Sequence, residues 1–333
     1  MNNPLVFLLP PTKQLFRRLI HSTLLERVGL IAIMILVFNL FFAVEISVTR
    51  QPLLNKLLGR PVTNQAVVKA TLPAAGNAAA INDTNLAASI LPQSGLSLGV
   101  SWGDLGQRLV EAGVIDRQKL ESLYANNTAA LPVITKLLTE NNVEPLVISA
   151  DNSTILLNLL WAFGLGNQND ILTKGEMTDT RYGGAGGFAS TGGWTLAKGN
   201  AMDHYAKHQF VKLTPEQQDL VSRVSKNIYR PCCGNSTHFP DCNHGMAMLG
   251  LLELMASQGA DESLMYQSAL AANSYWFPDT YLTIAKYLQK QGKLGKVSAQ
   301  EILGAQYSSA TGYQQILSQV EPASSQGGSS CSQ

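Results

Sequence analysis

Three cysteines and two histidines crowd into the run PCCGNSTHFPDCNHGMAM: Cys232, Cys233, His238, Cys242 and His244. Zinc takes four nitrogen or sulfur ligands in a tetrahedron, and thiolates and thioethers also suit copper(I). Cys232, Cys233, Cys242 and His244 supply one such set. His238 is a spare, and Met246 and Met248 are further soft donors if the ion is copper. The spacing is not that of a zinc finger, which needs C-x-x-C and H-x₃₋₅-H, nor of covalent haem attachment, which needs C-x-x-C-H. Two other chemistries use the same residues. A disulfide from Cys232 or Cys233 to Cys242 would staple the loop. Adjacent cysteines rarely pair with each other, so one thiol would then be left over or joined to Cys331. Thiol–disulfide exchange is the third reading, since a low-pKa cysteine at a helix start beside two others is suited to it.

A second pair, His204 and His208 in DHYAKH, has the i, i+4 spacing that puts two imidazoles on one helix face. The residues between are Tyr, Ala and Lys, so the H-E-x-x-H metalloprotease context is absent. Two surface histidines are the plainer reading. If their helix packs on the cysteine loop, they become additional ligands. No Ser/His/Asp set and no supported carboxylate pair is legible, so the sequence leans away from an enzyme.

The elements that must position the cluster follow from the pattern around it. Thr214-Pro215-Glu216-Gln217 combines an N-cap threonine, proline at the first helical position and glutamine three residues after the cap, which predicts a helix to about Ile228. A second helix is expected from Asn243 to Ser257, ending at Gly259, with Cys242 and His244 at its start. The free amides and positive dipole end there favour thiolate over thiol. This helix, NHGMAMLGLLELMAS, is apolar nearly all round and should be central. Its methionines read as core filler, and Glu253 as a rim residue. Asp261 starts another helix that stops before Pro278. Upstream, a helical pattern is expected from Trp102 onward, a short helix capped by Asp116, another over 131–139, one strand at 145–149, and an apolar helix opened by Asp151 or Asn152. The glycine-rich run GGAGGFASTGGW (183–194) lacks the lysine of a P-loop and the register of a dinucleotide site, so it reads as a conformationally special loop.

Residues 28–44, VGLIAIMILVFNLFFAV, carry no charge, and Ile46 and Val48 extend the run. This is the short end of a spanning helix, and it lacks the small-residue cleavage site of a signal peptide. Lys13, Arg17, Arg18 and Arg27 precede it, and Arg50, Lys56 and Arg60 follow, a small excess on the side expected to be cytoplasmic. Of the 333 residues, 45% are apolar and only 14% charged, against about 25% charged in ordinary soluble domains. The net charge of +1 gives no electrostatic footprint for nucleic acid.

The expected architecture is all-α. It comprises a cytoplasmic segment (1–27), a transmembrane anchor (28–48), a flexible linker (49–97), a compact multi-helix extracytoplasmic domain (98–320) and a disordered tail (321–333). The expected cofactor is a zinc or copper ion. The membrane is the first partner, with a further protein partner open.

The stretches NIYRPCCGNSTHFPDCNHGMAMLGLLELMASQGADESLMYQSAL, WGDLGQRLVEAGVID and FASTGGWTLAKG resemble a group of bacterial membrane-anchored proteins with this Cys-Cys…Cys-Asn-His-Gly signature. That resemblance spans most of residues 97–315. Pro231-Cys232-Cys233 and Cys242-Asn243-His244 are also distantly similar to the PCYCGC-motif lipoproteins, although the second C-x-C of that motif is missing. The resemblance implies a tethered domain and brings no activity with it.

Overall fold

The computed structural model describes residues 83–320. The expected anchor, the segment before it, most of the linker and the tail lie outside the described residues. Among the described residues, no helix is long and apolar enough to cross a membrane. Helices account for 57% of that region and strands for 8%, so the fold is largely α.

Helix α1 (Asp83–Ile90) leads into strand β1 (Leu96–Gly103), and β2 (Asn142–Ile148) pairs with it antiparallel, Leu96 opposite Ile148 and Gly103 opposite Asn142. Two expectations change here. The helix falls in the stretch read as spacer, where Leu86 and Ile90 are buried. The segment at Trp102 is strand, not helix. Leu98, Val100 and Trp102 alternate into the core with period two, and the helical spacing of Leu105 and Leu109 begins only after Gly103. The Trp102 indole N–H donates to the Leu137 carbonyl at 2.9 Å, which ties β1 to a later helix.

Between the strands lie α2 (Leu105–Glu111), α3 (Arg117–Leu123) and α4 (Ala130–Thr139). Asp116 caps α3 as expected, accepting from the Gln118 and Lys119 amides. Then come α5 (Ser153–Gly166), the short α6 (Asp170–Lys174) and a run of 3₁₀ turns over the glycine-rich loop. These lead to α7 (Pro215–Ser225), α8 (Asn243–Ser257), α9 (Glu262–Trp276), α10 (Pro278–Lys290), α11 (Ala299–Leu303), α12 (Ala305–Ser308) and α13 (Ala310–Val320). Thr214 and Gln217 form the capping box that opens α7.

The centre of the fold is the crossing of α5 and α8, which glycines make close. A Cβ on Gly164 would stand 2.3 Å from the Met246 carbonyl oxygen, and one on Gly250 2.4 Å from that of Leu160. Larger residues would force the helices apart, so this contact fixes α8 and therefore where its first turn sits. Glu253 is a correction: it is fully buried rather than on a rim, and its Oε2 accepts from the Asn167 side-chain amide at 2.5 Å. Burial pushes its carboxyl well above the ordinary range, against the Asn167 bond that lowers it. A carboxyl with a raised folded-state pKa stabilises only below the unfolded value and loses that contribution as pH rises through the folded one. Glu253→Gln is therefore expected to raise stability by on the order of 1 kcal/mol at pH 8 and little at pH 4. Urea midpoints at the two pH values check this, and an unchanged difference between variant and parent would contradict it.

Candidate functional site

After α7 the chain doubles back on itself. The Thr237 amide donates to the Ile228 carbonyl at 2.7 Å, and Tyr229 bridges Ser236, which leaves Pro231 to Asn235 as the turn. The Tyr229 amide donates to the Leu303 carbonyl at 2.8 Å, and the Ala310 amide to that of Cys233 at 2.9 Å, so the turn is clamped against α11 and α13. Asn273 on α9 adds a bond to the Tyr229 carbonyl and another to the Tyr281 hydroxyl, which also meets Ser308. The turn carrying Cys232 and Cys233 is thus held from three sides. Cys242 arrives from the other direction as the N-cap of α8, its sulfur accepting from the Gly245 amide at 3.4 Å.

The Sγ atoms of Cys232, Cys233 and Cys242 all lie within 4.8 Å of one another, and the Cys232–Cys242 separation is 3.8 Å. Two sulfurs bound to one zinc at about 2.3 Å and a tetrahedral angle are about 3.8 Å apart. The observed spacing is that of a chelate edge, and far longer than the roughly 2.05 Å of a disulfide bond. Cys232 and Cys233 are partly exposed and Cys242 is buried, so the tripod opens on one side.

Sequence reasoning missed Arg230. It is fully buried beneath the thiols, and its Nη2 donates to Asp241 Oδ1 at 2.7 Å, to Cys233 Sγ at 3.2 Å and to the Phe239 carbonyl at 3.3 Å. Its Nε and Nη1 have no hydrogen-bond partner among the described residues. Burial opposes the guanidinium charge, but Cys242, Cys233, Asp241 and Cys232 together raise its pKa. The thiols respond in turn. Hydrogen bonds from Cys232 and Cys233 hold Cys242 well below the ordinary thiol range, and the Arg230 charge lowers it further. Cys233 moves up: the bond from Cys232 lowers it, but its bond to Cys242 and its burial prevail. Cys242 therefore carries a negative charge more readily than Cys233, and Arg230 is the fixed cation that favours it. Asp241 completes the set, its second oxygen accepting from the Asn235 amide at 2.8 Å. Glycine is needed at 245 for a steric reason, since a Cβ there would stand 2.8 Å from the Arg230 guanidinium carbon. The clue available in the sequence was an arginine in Tyr-Arg-Pro-Cys-Cys, close enough to the thiols to serve them.

The other expected ligands lie apart from this tripod. The His244 ring packs on Phe277 at 4.4 Å between centroids, and its Nδ1 pairs with Asn243 Oδ1 at 2.9 Å. Burial pushes its pKa down to about 4, so it is neutral near pH 7. The His238 Nε2 meets Ser222 Oγ on α7 at 3.3 Å. Met246 is fully buried in the apolar core. His204 and His208 are not on a helix: a 3₁₀ turn over Ala201–Asp203 gives way to Ala206 at φ +50°, and the pair sits by the C-terminal end of α5. They do not complete the tripod. Compared with known proteins, this chain matches no family model, no curated protein and no solved structure.

Proposed function

We propose that this protein is a membrane-tethered, extracytoplasmic metal-binding module that holds zinc or copper(I) on Cys232, Cys233 and Cys242. The observation that carries the reading is the 3.8 Å edge of a thiol tripod over a fully buried arginine. Three thiolates around Zn(II) carry a net charge of −1, and around Cu(I) a net charge of −2. Either complex is anionic, and a buried anion needs a partner. Arg230 supplies it without titrating. The partly exposed Cys232 and Cys233 leave a fourth position for water, a partner's ligand, or His244 after a side-chain rotation. The tether rests on the uncharged run at 28–44.

A second reading keeps a specific support. The same 3.8 Å separation lets Cys232 and Cys242 close to a disulfide with a small movement, and a low-pKa Cys242 beside Arg230 suits thiol exchange. Elemental analysis of the full chain, purified in detergent without chelator and paired with a free-thiol count, separates the two. At least one zinc or copper per chain with protected thiols is the expected result. No metal, with a Cys232–Cys242 disulfide, would overturn the metal reading in favour of the second.

A further inference from the structure

His204 and His208 sit by the C-terminal end of α5 and are not part of the cysteine group. The backbone amide of His208 donates to the Gly166 carbonyl at 2.9 Å, and that of Gln168 returns a bond to the His208 carbonyl at 2.8 Å. Next to them Asn167 holds Glu253 on α8. About 16 Å of helix separates Glu253 from Cys242.

The geometry of the two rings is specific. His204 Nδ1 and His208 Nε2 face each other at 3.1 Å. Two imidazole nitrogens bound to one ion at about 2.05 Å stand about 2.9 Å apart at a right angle and about 3.3 Å apart at the tetrahedral angle. The observed value falls inside that bite. The other nitrogen of His204, Nε2, meets the Lys198 carbonyl at 2.9 Å. A carbonyl only accepts, so Nε2 carries the proton and Nδ1 presents its lone pair toward His208. A ring N–H anchored on a backbone carbonyl is also the usual outer support of a metal-binding histidine.

The rings are held in place before any ion arrives. They stack at 5.3 Å, and His208 stacks in turn on Phe210 at 5.2 Å. The backbone between them is strained at Ala206, the one non-glycine residue with positive φ among the described residues, and its amide is fastened to the Leu165 carbonyl at 2.8 Å. Alanine in the left-handed region costs roughly 1–2 kcal/mol, and strain of this kind gathers at functional sites. His204 is buried and His208 half-exposed, so the pair has a fixed inner ligand and an accessible outer one.

We infer that His204 Nδ1 and His208 Nε2 form a second metal site that chelates a divalent first-row transition ion such as zinc, with water filling the remaining positions. On binding, the ion takes the place of the proton shared between the two rings, and His208 stays a neutral imidazole by carrying its one ring proton on Nδ1 instead of Nε2, exchanged through solvent with no net release. Two imidazoles and water make a harder donor set than three thiolates, so the two sites differ in preference: zinc and copper(II) here, zinc and copper(I) at the tripod.

The test uses chelator-stripped full-length protein in detergent, titrated with zinc alone by calorimetry, beside His208→Gln. Glutamine at this half-exposed position keeps a polar group facing His204, and circular dichroism checks that the fold is retained. The expected result is that His208→Gln binds one equivalent fewer than the parent, or binds that equivalent more than about tenfold more weakly. This holds whether or not the tripod also binds, because the parent then shows two equivalents or one, and the variant one or none. A folded variant with the parent's stoichiometry and affinity would overturn the site and leave the pair as an N–H···N hydrogen bond.

Discussion

Arg230→Met is expected to weaken zinc binding at the tripod by at least about tenfold and to destabilise the metal-free protein by about 3 kcal/mol, the lower end of the cost of breaking a buried ion pair. The lower end applies because the Asp241 side chain keeps 22% of its surface exposed while that of Arg230 keeps none. Methionine fills much of the volume, so the loss is mainly of charge and donors. Asp241 loses its cation, Cys233 loses a donor, and Cys242 loses the field that favours its thiolate. Arg230→Lys keeps the charge without the fork and should fall between the two. Gly245→Ala reaches the same group from the other side, because its methyl enters the space of the guanidinium. Denaturant midpoints and zinc titrations measure both effects. If Arg230→Met matched the parent in zinc affinity, Arg230 would be structural and not the counter-ion of the site.

Cys242→Ser should remove metal binding at the tripod while sparing the fold. Serine is among the preferred N-cap residues, so its hydroxyl can accept from the Gly245 amide as the sulfur does now. The helix start is retained and the thiolate is lost. Metal affinity is expected to fall by at least about a hundredfold, close to 2.7 kcal/mol, with metal-free stability within about 1 kcal/mol of the parent. The disulfide reading predicts the reverse, a lower melting temperature and the same response to zinc in variant and parent. Thermal melts with and without zinc distinguish them.

Much of the scaffold around the tripod was legible because its signals are local. The Thr214 and Gln217 capping box, the Asp116 and Asp261 caps and the limits of α8 each depend on a few adjacent residues, and the structure reproduces them. What escaped depends on distant partners. Strand β1 carries Gly99 and Gly103, both at positive φ, which blur its alternation, and its pairing with β2 is fixed across the intervening helices. Glu253 read as a rim residue because its partner, Asn167, comes from just beyond the end of α5. Arg230 escaped because its burial depends on how the loop folds over it. The i, i+4 histidines suggested a helix, but the turn at Ala206 brings them together instead. The three cysteines were legible as a group by proximity in sequence. That His244 packs on Phe277 apart from them required the start of α10, far along the chain.

The central claim is that three sulfurs of this chain hold one ion, and X-ray absorption at the metal edge of full-length His208→Gln protein loaded with one equivalent of zinc tests it most directly. The account predicts three sulfur neighbours at about 2.3 Å with one lighter oxygen or nitrogen neighbour, and loss of a sulfur in Cys242→Ser. A first shell of nitrogen and oxygen alone would contradict it.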